Sequence, residues 1–358
     1  MPTTKTPNEI LELLRAVKYP GYTRDIVSFG MVRDVQVGSD AITIVLSVTS
    51  RNPETVEQIR RDVERVVGEA TGSPVRTVLA EPAGARPAPA RGPRKISGAE
   101  HVVAVASGKG GVGKSTVAVN LALALRQLGH STGLLDADVY GPSVPLLLGL
   151  GDRPVPREDN RIEPVERYGL RVMSMGLLVG RATPIIWRGP MVNKLLTQFL
   201  HDVDWGKLDF LVLDLPPGTG DAQLTVAQQV ALSGGIIVTT PQDVALADVK
   251  RGIKMFEQVH APVLGLVENM SYYECRSCGH RAEIFGHGGG RQLAEKFGIP
   301  FLAEIPISRE LREASDRGEP IVATRPDHPV SRIFAEIARR VVEELRARQE
   351  AEVLPTVH

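Results

Sequence analysis

Two cysteines, Cys275 and Cys278, are the only thiols in a chain of 358 residues, and they stand as C-x-x-C in "SYYECRSCGH" (271–280). Thiolates at that spacing are half of a four-ligand metal site. In a reducing compartment such a pair binds metal or does redox chemistry more often than it staples a fold. Three completions stand open. The pair could close as a disulfide, a poor fit to a chain with no export signal. It could join His280 and an outside ligand in a mononuclear zinc site. Or two chains could each give one pair across a two-fold axis, so that one sequence motif is used twice. Four thiolates suit a 4Fe–4S cluster or tetrahedral zinc, and spacing alone does not separate them.

The second chemical signal is "SGKGGVGKST" (107–116), which fits G-x-x-x-x-G-K-[ST]. Glycines let backbone N–H groups turn inward around phosphates, and a following helix N-terminus adds partial positive charge. The expected phosphate cradle is Gly108, Gly110, Gly111, Val112, Gly113, Lys114, Ser115 and Thr116. Lys114 should reach the β- and γ-phosphates and Ser115 should bind Mg²⁺. A second lysine, Lys109, lies inside the loop and cannot easily curl onto the same phosphates.

Carboxylates follow at the ends of apolar runs. "DFLVLDLPPGTGD" (209–221) ends a run at Asp214, placed to hold Mg²⁺ through water. "LLDADVYGPS" (134–143) supplies Asp136, for the metal region, and Asp138, to orient an attacking water; either could instead cap a turn. "PPGTGD" (216–221) is a candidate γ-phosphate sensor or an ordinary Pro-Gly turn. Asn269 could read an adenine edge with its amide or simply form a turn. No strong general base stands out, and phosphoryl transfer needs none.

The elements that must position these groups alternate after residue 100. "HVVAVAS", "STGLLD", "GLRVMSM", "DFLVLDLP", "GGIIVTTP", "APVLGLVEN" and "IPFLAEIP" are strand candidates, several apolar throughout, as strands covered on both faces are. Helical stretches, among them 114–128 and 243–259, lie between them. The fold class expected is α/β: a doubly wound, mostly parallel sheet. A last amphipathic helix runs through Val330, Ile333, Phe334, Ile337, Val341 and Leu345; its polar face mixes Glu with Arg, which fits packing rather than a membrane surface.

Before this region, "PNEILELLRAV", "MVRDVQV", "AITIVLSVT", "PETVEQIRRDVERVVGEATG" and "PVRTVLA" read α-β-β-α-β, a small α+β domain over 1–80. Residues 81–100 read as a Pro/Ala/Arg-rich linker, and 101–350 as the phosphate-binding domain. Lys+Arg and Asp+Glu are equal at 42 each, hydrophobic residues make up 42 % and charged residues 23 %. That balance argues for no nucleic-acid partner, and no apolar run reaches the length of a membrane span. With no basic-then-apolar leader, the expected location is cytoplasmic.

"KGGVGKST" resembles the deviant phosphate loop of the nitrogenase-iron-protein, MinD and ParA superfamily, in which the extra lysine contacts nucleotide across a dimer interface. "SGKGGVGKST", "LLDADVYGPS", "IIWRGPMV", "DLPPGTGDAQLT", "TTPQDVALAD", "VENMSYYECRSCG" and "FGHGGG" together resemble the Mrp/ApbC-type iron–sulfur cluster carrier ATPases, in that family's order. The resemblance implies a cytosolic homodimer, a 4Fe–4S cluster bridged by Cys275 and Cys278 of both chains, cluster delivery to apoproteins, slow ATP hydrolysis as the switch, and a cross-dimer role for Lys109. Readings that compete are a ParA/MinD-like positioning ATPase and a zinc-bridged dimer. Residues 1–80 resemble the iron–sulfur assembly domain that often precedes such ATPases, through "RDIVSFGMV" (24–32). This chain departs from it at Asn52-Pro53, where Cys-Pro is common, and at Tyr19-Pro20-Gly21, where Asp-Pro-Glu is common. The departures leave that domain a docking or recognition role.

Overall fold

The computed structural model describes residues 5–20, 25–28, 31–38, 41–46, 53–79, 93–139, 141–151, 154–156, 161–178, 196–200, 202–218 and 221–353. It divides into two compact units, Met1–Arg91 and Gly92–His358.

In the first unit β1 (Val32–Val37) pairs antiparallel with β2 (Ile42–Leu46), and β3 (Val75–Leu79) joins β2 in parallel. Ile42, Ile44 and Leu46 alternate inward along β2 and meet the helices Pro7–Leu14 and Pro53–Thr71 through Ile10, Leu14, Ile59, Val63 and Val67. The first helix starts with a reciprocal cap: Thr6 Oγ1 accepts from Glu9 N, and the Glu9 carboxylate accepts from Thr6 N at 2.7 Å.

The second unit holds β4 (Ala99–Ser107), β5 (Thr132–Asp136), β6 (Val155–Pro156), β7 (Ile162–Glu163), β8 (Val165–Arg167), β9 (Leu170–Ser174), β10 (Leu208–Asp214), β11 (Gly234–Thr239), β12 (Val263–Glu274), β13 (Arg281–Ala282) and β14 (Phe301–Ile307). The main sheet runs β8-β9-β5-β10-β4-β11-β12-β14, with β13 paired to the far end of β12. All its neighbours are parallel except β8 against β9 and β13 against β12. Strand alternation feeds two cores. Val103 and Val105 face the helices Lys114–Gln127 and Pro329–Val353; Val102, Ala104 and Ala106 face the opposite layer, which includes Asp243–Gln258. The apolar line expected on the last helix packs as a core face, with Val330, Phe334, Ile337, Val341 and Leu345 buried. No helix among the described residues is long and apolar enough to cross a membrane.

Two features differ from expectation. Residues 93–100 do not behave as linker: Arg94 bridges to Val230, Ile96 is buried against the β4–β10 side of the sheet, and β4 already starts at Ala99. One isoleucine finds a core slot without any periodicity to announce it; residues 80–92 lie outside those described. The strand expected to stop at Asn269 instead runs on to Glu274, past a kink at Met270 (φ 56°).

Gly235 on β11 lies under the buried Phe256 ring, where an ideal Cβ would come within 2.1 Å of Cζ. Gly235→Ala should therefore destabilise the chain by about 1–3 kcal/mol, measured by urea unfolding.

Candidate functional site

Strand β10 is inserted between β4 and β5, so three strand ends meet at one edge of the sheet. The loop after β4 and the helix Lys114–Gln127 wrap an open pocket of about 250 Å³, lined by Lys109, Gly110, Gly111, Gly113, Lys114, Ser115, Thr116, Asp138 and Pro217, among others. Gly111 and Gly113 have φ of 82° and 84°, the region where a side chain is strained. Gly108 has a different reason: a Cβ there would lie 2.2 Å from Asp248 Cβ, on the helix Asp243–Gln258.

Beneath the pocket lies a buried charge cluster. Lys114 is 5 % exposed, and its Nζ is 2.5 Å from Asp214 Oδ1 and 3.2 Å from Ser115 Oγ. Asp214 and Asp136 are directly paired in the β10/β5 register, and both are fully buried. Asp136 accepts from Ser174 Oγ (2.9 Å) and from the backbone N of Asp138 (3.1 Å) and Val144 (3.2 Å). Burial, then the neighbouring charge of Asp214, pushes its carboxyl up to about 7. Burial also raises Asp214, with Lys114 opposing the shift. Asp214 Oδ2 is buried with no hydrogen-bond partner. An orphaned carboxylate oxygen beside a serine hydroxyl is a hard-oxygen set of the kind Mg²⁺ takes, so the residues fit that ion.

The cysteines lie on a hairpin. Glu274 pairs with Arg281 and Tyr273 with Ala282; at the turn Cys275 N donates to His280 O (2.9 Å) and Gly279 N to Cys275 O (2.7 Å), with Gly279 at φ 69°. Backbone N–H groups of Cys278 and Ser277 donate to the Cys275 sulfur and lower its thiol below the ordinary value. Cys278 is exposed and Cys275 partly so, and both are free thiols. Arg276, between them, pairs with Glu310. Among the described residues no three His, Cys, Asp or Glu side chains gather to hold a metal. His280 contributes its backbone carbonyl to the turn and does not join the cysteines as a third ligand.

The model of the NUBPL iron-transfer P-loop NTPase matches residues 98–342, and that of an iron-sulfur cluster assembly protein matches 7–80. The chain belongs to the iron-transfer P-loop NTPase family. It is 57 % identical over 248 residues to the iron-sulfur cluster carrier protein of Aquifex aeolicus, covering 69 % of this chain and 68 % of that one. With the carrier protein of Haemophilus influenzae it is 40 % identical over 344 residues, 96 % of this chain and 93 % of the other. A nucleotide-binding protein from Archaeoglobus fulgidus, solved in complex with ADP, superposes with TM-score 0.57 at 43 % identity, covering 63 % of this chain and 89 % of that one. The cell-division ATPase MinD of Pyrococcus furiosus, at TM-score 0.53 and 21 % identity over 68 % of this chain and 98 % of its own, shares the fold.

Within this P-loop NTPase the expected site residues divide. Lys109, Gly110, Gly111, Gly113, Lys114, Ser115, Thr116 and Asp138 share the pocket, with Asp214 under it. Lys109 Nζ lies 3.4 Å from Gln242 Oε1, and Asp138 Oδ1 accepts from Gly141 N at 3.2 Å. Val112 is buried and turned away from the pocket. Asn269 is 5 % exposed, and its Nδ2 donates to Val112 O at 2.8 Å, so one N–H of its amide braces the phosphate loop while its Oδ1 and second N–H stand outside that bond. "IIWRGPMV" and Thr219-Gly220 lie outside the described residues. Ser174, Gln242 and Glu268 entered unforeseen; single polar residues at strand ends carry no spacing signal.

Asp136 gives a pH signature. In the unfolded chain it ionises near 3.8, in the folded chain near 7, so the folded state holds the extra proton between those values. Its contribution is fully present at low pH and is lost as pH rises toward about 7. Relative to Asp136→Asn, the wild-type chain should lose thermal stability from pH 5 to pH 8, most of it below about pH 7. A constant difference in melting temperature across the range would refute the assignment. Lys114→Ala should weaken binding of a fluorescent ATP analogue about 10- to 100-fold, the loss of one charged hydrogen bond to phosphate. Unchanged affinity would remove Lys114 from the phosphate site.

Proposed function

We propose that this chain is a cytosolic ATP-dependent carrier of iron–sulfur clusters, acting as a homodimer in which Cys275 and Cys278 of each copy hold one 4Fe–4S cluster for delivery to apoproteins. The observation that carries the reading is the half-complete ligand set. Two preorganised thiols stand at an exposed hairpin tip with no third protein ligand beside them among the described residues. A two-fold axis supplies the other two thiolates from the same motif. The names of the relatives, iron-sulfur cluster carrier and transfer proteins, support the same cargo.

The nucleotide half works through positioning. ATP phosphates enter the loop N–H cradle at the start of the helix Lys114–Gln127, and Lys114 exchanges Asp214 for phosphate oxygens. Ser115 and, through water, Asp214 would hold Mg²⁺, which would supply charge neutralisation for the phosphates. Asp138, at the pocket wall, orients the water that attacks the γ-phosphorus; the bond to the β-phosphate oxygen breaks, and ADP and phosphate result. Lys109, half-buried in the pocket lining, reaches the nucleotide of the second copy in the closed dimer. Turnover needs no strong base and is slow, as suits a switch between dimer arrangements that hold the cluster unequally.

Anaerobic reconstitution with iron and sulfide tests the reading. The wild-type chain should turn brown and bind about one 4Fe–4S cluster per two chains, while Cys275→Ala should lose the cluster and keep nucleotide affinity. A colourless protein holding only zinc, or a full cluster on Cys275→Ala, would overturn it.

A further inference from the structure

Strand β12 touches both halves of the molecule's chemistry. Asn269 holds Val112 O of the phosphate loop, and Cys275 begins the hairpin just past the strand's last residue, Glu274. The contact at Asn269 has no slack: a Cβ on Gly113 would lie 2.2 Å from Asn269 Nδ2. A shift of the loop around phosphate therefore displaces Asn269.

The next residue back, Glu268, is a fully buried carboxylate whose partners lie in the "FGHGGG" segment. It accepts from Gly288 N (3.0 Å) and Gly290 N (2.6 Å), at the N-terminus of the helix Gly289–Phe297, and from Ser271 Oγ (2.6 Å). Gly290 is required there, since its Cβ would sit 2.9 Å from Glu268 Oε2. Ser271 in turn is 3.1 Å from His287 Nδ1. Against His287 lies Arg281, with Nη2 3.2 Å from the ring nitrogens. Arg281 also donates to Glu304 Oε2 at 3.1 Å and covers the Tyr272 ring at 3.7 Å. It pairs with Glu274 across the hairpin, immediately before Cys275.

We propose that Glu268, His287 and Arg281 form a positioning clamp that transmits the state of the phosphate loop, through Asn269 and β12, to the thiol hairpin. The inference rests on the carrier reading only for its purpose. Its physical content is that nucleotide changes the order of the hairpin, and that Arg281 is the last link. Asn269, midway along β12, and Glu274, at its end against Arg281, put both regions on one contiguous strand, and a nucleotide-dependent change at the far end is the two-state behaviour that transmission requires. Nucleotide and hairpin are then coupled by a free energy that belongs to both.

Hydrogen exchange on the metal-free, full-length chain, with and without Mg²⁺ and a non-hydrolysable ATP analogue, tests the clamp. In the wild-type chain the analogue should change exchange of the 275–282 amides about fivefold or more. In Arg281→Ala that response should fall below about twofold while the 108–116 amides stay protected by nucleotide, and Arg281→Lys, which keeps the charge facing Glu304, should recover part of it. A merely structural arginine would loosen the hairpin equally in both nucleotide states. A wild-type hairpin indifferent to nucleotide, or an Arg281→Ala hairpin that responds as wild type, overturns the proposal. Should Arg281→Ala fail to bind nucleotide, Glu304→Gln releases the same arginine from the neighbouring strand and is read by the same two outcomes. Because no cluster is involved, failed reconstitution would sink the carrier reading and leave this result standing; an indifferent hairpin would do the reverse.

Discussion

Two facing carboxylates, Asp136 and Asp214, share one buried ammonium where β4, β5 and β10 end, with Asp138 a third buried carboxylate close by, and that imbalance governs the site. Parallel strands put Asp136 and Asp214 side by side, and the helix after the phosphate loop brings Lys114 against only one of them. Burying a second negative charge without a cation is costly, so the proton stays on Asp136 up to about 7. On the proposed reading the pair Lys114–Asp214 is itself provisional, because Lys114 also lines the pocket that would take phosphate. Asp214 Oδ2 lacks any hydrogen bond, so the cluster is short of positive charge and of donors at once. A site in that condition gains from a ligand that brings both anion and cation.

Strand β12 then gives the sheet a second task. Most strands here end at the sheet edge, but this one passes Met270 in a left-handed conformation and continues to the hairpin. Such a conformation in a non-glycine residue persists only where the surroundings over-determine it. The surroundings are Asn269 tied to the phosphate loop on one side and Ser271 tied to Glu268 on the other. The kink is thus held between the two functional regions.

The elements with strong patterns were legible in the amino-acid order. Apolar strand runs, the loop from Gly108 to Ser115 and the last helix each carry periodicity or fixed spacing, and each folds as that physics demands. The cysteine hairpin was legible as chemistry and illegible as geometry: C-x-x-C states two thiols, whereas the turn that aims the Ser277 and Cys278 amides at Cys275 depends on Gly279 and on pairing with Arg281. Asn269 was legible only as an amide at a strand end; that one of its N–H groups braces the phosphate loop depends on the close approach of Gly113, which no spacing announces. The role of "FGHGGG" was likewise hidden, since its glycines answer to Glu268 and Leu246, distant in the chain.

On the proposed reading, a ligand set divided between two copies suits a molecule that must release what it holds. A complete four-thiolate site in one chain would be preorganised, and its affinity would be fixed by that chain alone. On the proposed reading, dividing the ligands between two copies makes cluster affinity a function of how those copies meet. Any ligand that binds one arrangement better than another then shifts cluster affinity by the same differential. On that reading, and with the proposed clamp, nucleotide would be such a ligand, because Lys109 lines the pocket and β12 carries both Asn269, bonded to the phosphate loop, and the thiol hairpin. On the same reading, release would need no chemistry at the sulfurs; a change in the fit between copies would be sufficient.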